Sequence, residues 1–538
     1  MRLRRPILLA LLLGALPCAA AEYYVAPGGD DAASGAIGQP WATLQHAVQT
    51  VVPGDTIWVR AGTYPGCRIE SACTQALPCA LRAYPGEAVL LNAPGPSNRH
   101  QSILELESFS GRVQWWTVEG FEVAGSPRYG VDQRNTDHVT VRGCTVHGSA
   151  VTGIFTAFAN FPVIEGNESY LNGEHGIYHS NSGDDAVIRA NRLHHNVGCG
   201  VHMNGDISMG GDGTLSRLLV ERNVIWENGT GGGGAINCDG VTDSVIRNNL
   251  CYANHASGIT LYTGDGAVGS SRNKVYNNTV VMAPNGRWVV LVSTGDLSKP
   301  SPAGNEIRNN ILYTDRLARG SISIYSPAET PIVSDDNIVV DRFSADDEAS
   351  IITLAAWQAL GFDLRSRTAT LDELFVDAAN NDYRLKAGSP ALDAGASLAD
   401  VPEDLLGTAR PQGSGWDIGC YEEPSSALVA GPVTGLRFTE RATMVWDPAA
   451  NATVYDLLRG LLSLLHANAG IGDASCLLDD VPALTASDPA LPPDAEGWYY
   501  LVRGDGAAVT AGTYDTQAGE GRDGEVGTSG GAPCPDLP

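Results

Sequence analysis

Five of the eleven histidines, four carboxylates and four asparagines fall in one stretch, EHGIYHSNSGDDAVIRANRLHHNVGCGVHMNGD, from Glu174 to Asp206. These residue types serve proton transfer, hydrogen bonding to hydroxyls and cation binding. Which task falls to which residue depends on the face each occupies. HGIYHSN and CGVHMNGD are copies of one phrase that also occurs as YGVDQRN, TGIFTAF, GAINCDG and SGITLYTGD.

Side chains alternate across a strand. The residue after the phrase's glycine is Val131, Ile154, Ile177 or Val201, apolar every time and so assigned to the core. The next position, Asp132, Phe155, Tyr178 and His202, then faces outward, as does the one two further on, Arg134, Ala157, Ser180 and Asn204. With Ile236 and Ile259 inward, Asn237 and Asp239, then Thr260 and Tyr262, continue the outer columns. Tyr178, His202, Asn204, Asn237, Asp239 and Tyr262 are expected to form one outer patch. His175 precedes its strand at a corner and is expected to reach the patch edge. His179 falls in the inward column, as a core histidine, and His194 and His195 belong to another face.

Aromatics for ring faces, amides for hydroxyls and His or Asp for proton transfer fit a groove that takes an extended sugar chain. His202, Tyr178, Arg134 and Asp239 are the candidate catalytic residues, with His202 or Tyr178 as base and Arg134 as neutraliser. Asn204, Asn237, Tyr262, Asp132 and His175 are the candidate substrate ligands. Acidic loops adjoin the same strands, and Asp184, Asp185, Asp206 and Asp212 are the candidate ligands of a calcium ion. Lysine occurs only at 274, 299 and 386, and Lys274 lies away from the patch, which argues against a lysine base. Asp206 with Asp239 is the carboxylate pair available to a hydrolase. A non-catalytic carbohydrate-binding or adhesive face is the remaining alternative.

Such a patch needs elements that place successive phrases side by side. VIEGNES, VIRANRL, VERNVIW, VIRNNLC, VYNNTVV and IRNNILY align on Asn167, Asn191, Asn223, Asn249, Asn278 and Asn310, with Phe121 and Cys144 in the same column. Steps are 23 or 24 residues up to 191 and 26 to 32 thereafter. Each unit is too short to bury its own apolar face, so units must stack. Short strands at this period imply an all-β right-handed parallel β-helix, with the asparagines inward, left-handed at tight turns and bonded to their copies. A helix around Trp41 to Val51 is expected to cap the open end.

The start YYVAPGGDDAASG, the QPWATLQHAV helix, PGDTIWVRAGTY and the closing DYRLKAGSPALDAGA with WDIGCYE resemble secreted bacterial right-handed parallel β-helix repeat proteins of the pectate-lyase-like superfamily. The resemblance covers roughly residues 22–424 and implies a polysaccharide as partner. Among the superfamily's activities, calcium-assisted β-elimination on a uronate polymer is the leading expectation. The formal charge of −27 excludes a nucleic-acid footprint and would repel a polyanion unless local positive charge or a cation intervened.

Residues 1–21 read as a signal peptide, so a secreted, extracellular protein without a membrane span is expected, as a monomer. Residues 425–432 form a Ser/Ala/Gly/Pro linker. Residues 433–538 resemble a fibronectin type III module, a small β-sandwich with Trp446, Tyr499 and Tyr500 in its core. Cys67, Cys73 and Cys79 lie close enough to hold one bridge, and Cys476 with Cys534 another.

Overall fold

The computed structural model describes residues 20–423 and, further on, 433–440, 442–449, 452, 454–461, 475–490 and 498–505. Most of the expected signal peptide, the linker 425–432 and Cys534 lie outside the described residues. The chain divides into two compact units, one reaching Glu422 without 412–414, the other holding 412–414 and the residues from 423 on.

The repeating phrases become coils. Three parallel sheets of 12, 12 and 11 strands run the length of the first unit. The 11-stranded sheet comprises β1 (Cys67–Ile69), β2 (Leu104–Leu106), β3 (Val131–Arg134), β4 (Ile154–Ala157), β5 (Ile177–Ser180), β6 (Val201–Asn204), β7 (Gly234–Asp239), β8 (Ser257–Thr263), β9 (Val290–Thr294), β10 (Ile322–Ile324) and β11 (Phe343–Ser344). Val131, Ile154, Ile177, Val201, Ile236 and Ile259 are fully buried, as their apolar constancy requires.

The asparagine column is an internal ladder. The Nδ2 of Asn191 donates to the Oδ1 of Asn223 and that of Asn223 to Asn249, both at 2.9 Å, and Asn223 also reaches the Ile188 carbonyl at 2.9 Å. Each rung thus satisfies buried main-chain groups at a turn that strands alone leave unpaired. The left-handed residue is the one before the ladder asparagine, namely Ala190, Arg222 and Asn248, with φ of 55°, 57° and 53°. That corrects the expectation, and its reason is that the ladder side chain must point inward from the turn. A second ladder, Asn172, Asn196, Asn228 and Asn254, runs beside the first.

Both ends are closed. Helix α1 (Leu44–Thr50), shorter than expected, starts at the Thr43 cap and buries Leu44, Ala47 and Val48. Its Gln45 amide pairs with the main chain of Arg68 in the edge strand β1, at 2.9 and 3.1 Å, so the open edge is covered. At the other end Trp357 of α2 (Leu354–Ala359) stacks on Phe343 at 5.0 Å, and Asp363 accepts from the last ladder residue, Asn337, at 2.9 Å. Cys73 and Cys79 form a disulfide, while Cys67 is free and buried.

The second unit contains two three-stranded antiparallel sheets, with Met444, Trp446, Tyr455 and Leu457 in its core. Cys476 is disulfide-bonded.

Candidate functional site

The register places the outer columns as expected. Tyr178, His202, Asn237 and Thr260 are successive partners across β5 to β8, and Ser180, Asn204, Asp239 and Tyr262 are the neighbouring column. At the start of these strands lies an open cavity of about 400 Å³, lined by Glu174, His175, Cys199, His202, Gly232 and Asn237, among others.

His175 is fixed by the main chain. Its Nδ1 accepts from the backbone N–H of Cys199 at 3.0 Å. A backbone amide only donates, so the neutral ring carries its proton on Nε2. Burial holds its pKa down at about 4, which keeps it neutral at pH 7. His202 stacks against it, ring centroids 4.6 Å apart and 29° from parallel. The Nδ1 of His202 accepts from the Nδ2 of Asn237 at 2.9 Å, so its proton also sits on Nε2. Asn237 is held in that orientation on both sides: its Oδ1 accepts from the Thr260 hydroxyl, and its Nδ2 also reaches the Tyr262 oxygen at 3.2 Å. Burial first, and the neighbouring His175 second, lower the His202 pKa to about 3. Two neutral imidazoles therefore stand side by side as N–H donors.

The Tyr178 ring lies 4.5 Å from that of His202 and 5.3 Å from that of His175. Its hydroxyl interacts with Ser180 and Asn204, and burial raises its pKa above the ordinary phenol value. Cys199, 3.9 Å from the His202 Nδ1, accepts from the Gly234 amide, and burial pushes its thiol up to about 12. It is a packed thiol rather than an activated nucleophile.

Several expected ligands are engaged elsewhere. Asp239 is 1% exposed, and its carboxylate accepts from the amides of Gly264, Asp265 and Gly266 at 2.8, 2.6 and 3.3 Å. It therefore ties down the turn after β8 instead of meeting substrate, and the Asp206/Asp239 acid pair fails with it. Asn204 is 6% exposed and donates to Asp265 at 3.2 Å. Asp132, 1% exposed, pairs with Arg134 at 2.9 Å and accepts from Ser102, so it is a partner of Arg134 and not a sugar ligand. Arg134 lies two strands from Tyr178 and three from His202, about 10 and 14 Å at the parallel-strand spacing. It is too remote to neutralise charge on a sugar bound at His202.

The donor set does not fit calcium. Asp184 and Asp185 both bind the Arg217 guanidinium, at 2.9 and 2.8 Å. Asp206 accepts from the amide and hydroxyl of Ser208, and Asp212 accepts from the Thr214 amide. No group of three or more His, Cys, Asp or Glu side chains is arranged to hold a metal ion among the described residues. The four carboxylates shape their own turns. Lys274 pairs with Asp400 at 2.6 Å.

His179 is fully buried, accepting from Thr156 at 2.6 Å and donating to the Gly183 carbonyl, so it is the core histidine expected. His194 stacks between Tyr170 and Trp226 on the second sheet. Sequence reasoning missed Glu174, Cys199 and the 231–233 glycines, and it placed Thr260 in the outer column without its bond to Asn237. Cys199 was open to inference, since it precedes the phrase's glycine as His175 does.

Residues 23–287 match the family described as Pel9A-like, right handed beta helix region. The chain is similar to that family over this segment, just under half of its length. The match spans α1, β1 to β8 and every residue of the cavity. A pectate lyase PEL9 of Emericella nidulans is 27% identical over 310 residues, 49% of this chain and 74% of that one. The crystal structure of pectate lyase Pel9A shares the fold, with a TM-score of 0.51 and 14% identity over 76% of this chain and 97% of that one.

Proposed function

We propose that the protein acts on a uronate-containing polysaccharide and cleaves it by β-elimination in the cavity beside His175 and His202. The observation that carries this reading is the pair of stacked, tautomer-fixed imidazoles, two N–H donors placed for one carboxylate. The match to pectate lyase PEL9 supports the substrate class.

Elimination requires that the sugar's C5 proton be removed while its carboxylate takes up charge. The Nε2–H groups of His175 and His202 supply that stabilisation. Their low pKa values keep both neutral, so they act as dipolar donors at any pH above about 4. Tyr178 is the proton carrier: its phenolate takes the C5 proton, the C4–O4 bond breaks, C4 and C5 become doubly bonded, and the phenol returns the proton to O4. Water is not consumed. Asn237 and Cys199 are positioning residues, because their N–H groups occupy the Nδ1 atoms and fix the tautomer of each ring. The resemblance to pectate lyases implies calcium, but Asp184 and Asp185 are bound to Arg217 and Asp206 and Asp212 to their own turns, and no step is assigned to a cation.

The test is a panel of polygalacturonate, alginate and a neutral xylan, each with added calcium and with chelator, read for unsaturated ends and reducing ends. Unsaturated ends from a uronate polymer alone are expected. Loss of activity on chelation would contradict the two-imidazole account, and reducing ends without unsaturation would contradict elimination.

A further inference from the structure

The ring contacts of the site continue past Tyr178 toward earlier coils. Phe155 meets Tyr178 edge-on at 5.4 Å, and Tyr129 stacks on Phe155 at 4.4 Å and 7°. Tyr129, Phe155 and Ala157 form an apolar cluster of their own, separate from the inner core. Two guanidiniums lie over this pair. Arg134 is 4.8 Å from the Phe155 centroid and 5.8 Å from that of Tyr129, and Arg128 is 4.8 Å from Tyr129.

Their surroundings differ from those of most arginines in this acidic chain, which are matched by carboxylates. Arg128 is half-buried and makes no ion pair among the described residues. Arg134 is held in place by Asp132 through Nε, and its Nη2 has no hydrogen-bond partner. A buried guanidinium edge with an unmet donor, beside a second guanidinium without a carboxylate, lacks an anion. The buried rings of Tyr129 and Phe155 hold both guanidiniums in place from below.

We infer that Arg128 and Arg134, on the Tyr129–Phe155 cluster, form a subsite for the carboxylate of a uronate beyond the nearest neighbour of the sugar bound at His202. The separation suits it, since β3 lies two strands from β5 and three from β6, about 10 and 14 Å. An extended polymer laid along the coils reaches both places, and a very short one reaches only the cavity. The inference rests on the uronate reading above. It also resolves the charge conflict locally, because the protein is acidic overall but presents arginine where polymer charge would lie.

The experiment is calorimetric binding of digalacturonate and octagalacturonate to the full chain in a Tyr178→Phe background, which prevents turnover. Arg128→Gln is expected to weaken octamer binding about tenfold, the effect of one lost charge-assisted hydrogen bond, and to leave the dimer unchanged. Arg134→Gln should do the same, but it strands the buried Asp132, so Arg128→Gln is the deciding variant and Arg134→Lys the partial rescue. Equal loss for both oligomers, or no loss for the octamer while His202→Ala still reduces binding of both, would overturn the subsite and leave the cavity reading standing. Failure of either oligomer to bind the parent protein would overturn both.

Discussion

At the scale of single residues, the site is defined by which nitrogen carries a proton. His175 has no freedom in this respect, because a backbone amide fills its Nδ1. His202 has none while Asn237 donates to it. His175→Ala and His202→Ala should each lower kcat by about 10²–10³, the loss typical of one preorganised donor at a developing anion. Tyr178→Phe should cost about 10²–10⁴ as the loss of the proton carrier. Because burial raises the Tyr178 pKa, kcat/KM should climb toward alkaline pH, with no break near 6.5, since neither imidazole titrates there.

The same low values bear on stability. In the unfolded chain the rings of His175, His179 and His202 bind protons near pH 6.5, whereas in the folded state they do so only near 4, 4 and 3. Between those limits the unfolded state holds more protons, so stability is complete above about 6.5 and falls as pH drops toward 4. Urea midpoints at pH 7 and pH 5 should differ for the parent protein and differ less for His202→Gln. The sequence showed these residues in the right columns, because alternation fixes the face. It did not show their partners. Asp239 looked like an outward acid, yet its carboxylate is filled by amides 25 to 27 residues later, a contact set by a loop rather than by strand spacing.

At the scale of elements, each coil is locked to the next by side chains as well as main chain. Asn223→Ala would remove an acceptor for both Asn191 donors and leave the Ile188 carbonyl without its side-chain donor, all fully buried groups. A loss of about 3 kcal/mol in urea unfolding is expected, as for breaking a buried network. The outer face of the first sheet carries a second lock. Arg82, Glu119, Arg142, Glu165, Arg189, Glu221 and Arg247 are neighbours in register with alternating sign, and four of the six steps have contacts between 2.6 and 3.0 Å. A one-residue slip of register would turn these residues inward, so the column specifies pairing more than it adds stability. Glu165→Arg, which sets three arginines in succession, should lower the midpoint slightly and slow refolding. The asparagine ladder was legible because its period survives insertions. The second ladder was not, since its members sit in NG, NV and NH contexts that read as ordinary turns.

At the scale of the whole molecule, the parallel sheets act as a ruler. Outer side chains repeat at the strand spacing, so a linear polymer can be read by residues far apart in sequence but adjacent on the coil. A chain of charge −27 can meet the proposed acidic polymer only locally, where hydrogen-bond donors are concentrated on one sheet and nearby carboxylates such as Asp132 and Asp184 are paired with arginine. The all-β solenoid and its first cap were open to reading from repeats and phrases, whereas the closing helix Leu354–Ala359 was not, because it lies outside the repeating phrases. The bond cleaved was not, because it depends on hydrogen-bond direction within a few ångströms. The measurement that bears most directly on the account is the rate of unsaturated-end formation from polygalacturonate by the parent protein and by Tyr178→Phe and His202→Ala of equal folded content. The account predicts unsaturated ends in proportion to chain breaks for the parent and almost none for either variant. Chain breaks without unsaturation, or undiminished rates in both variants, would contradict it.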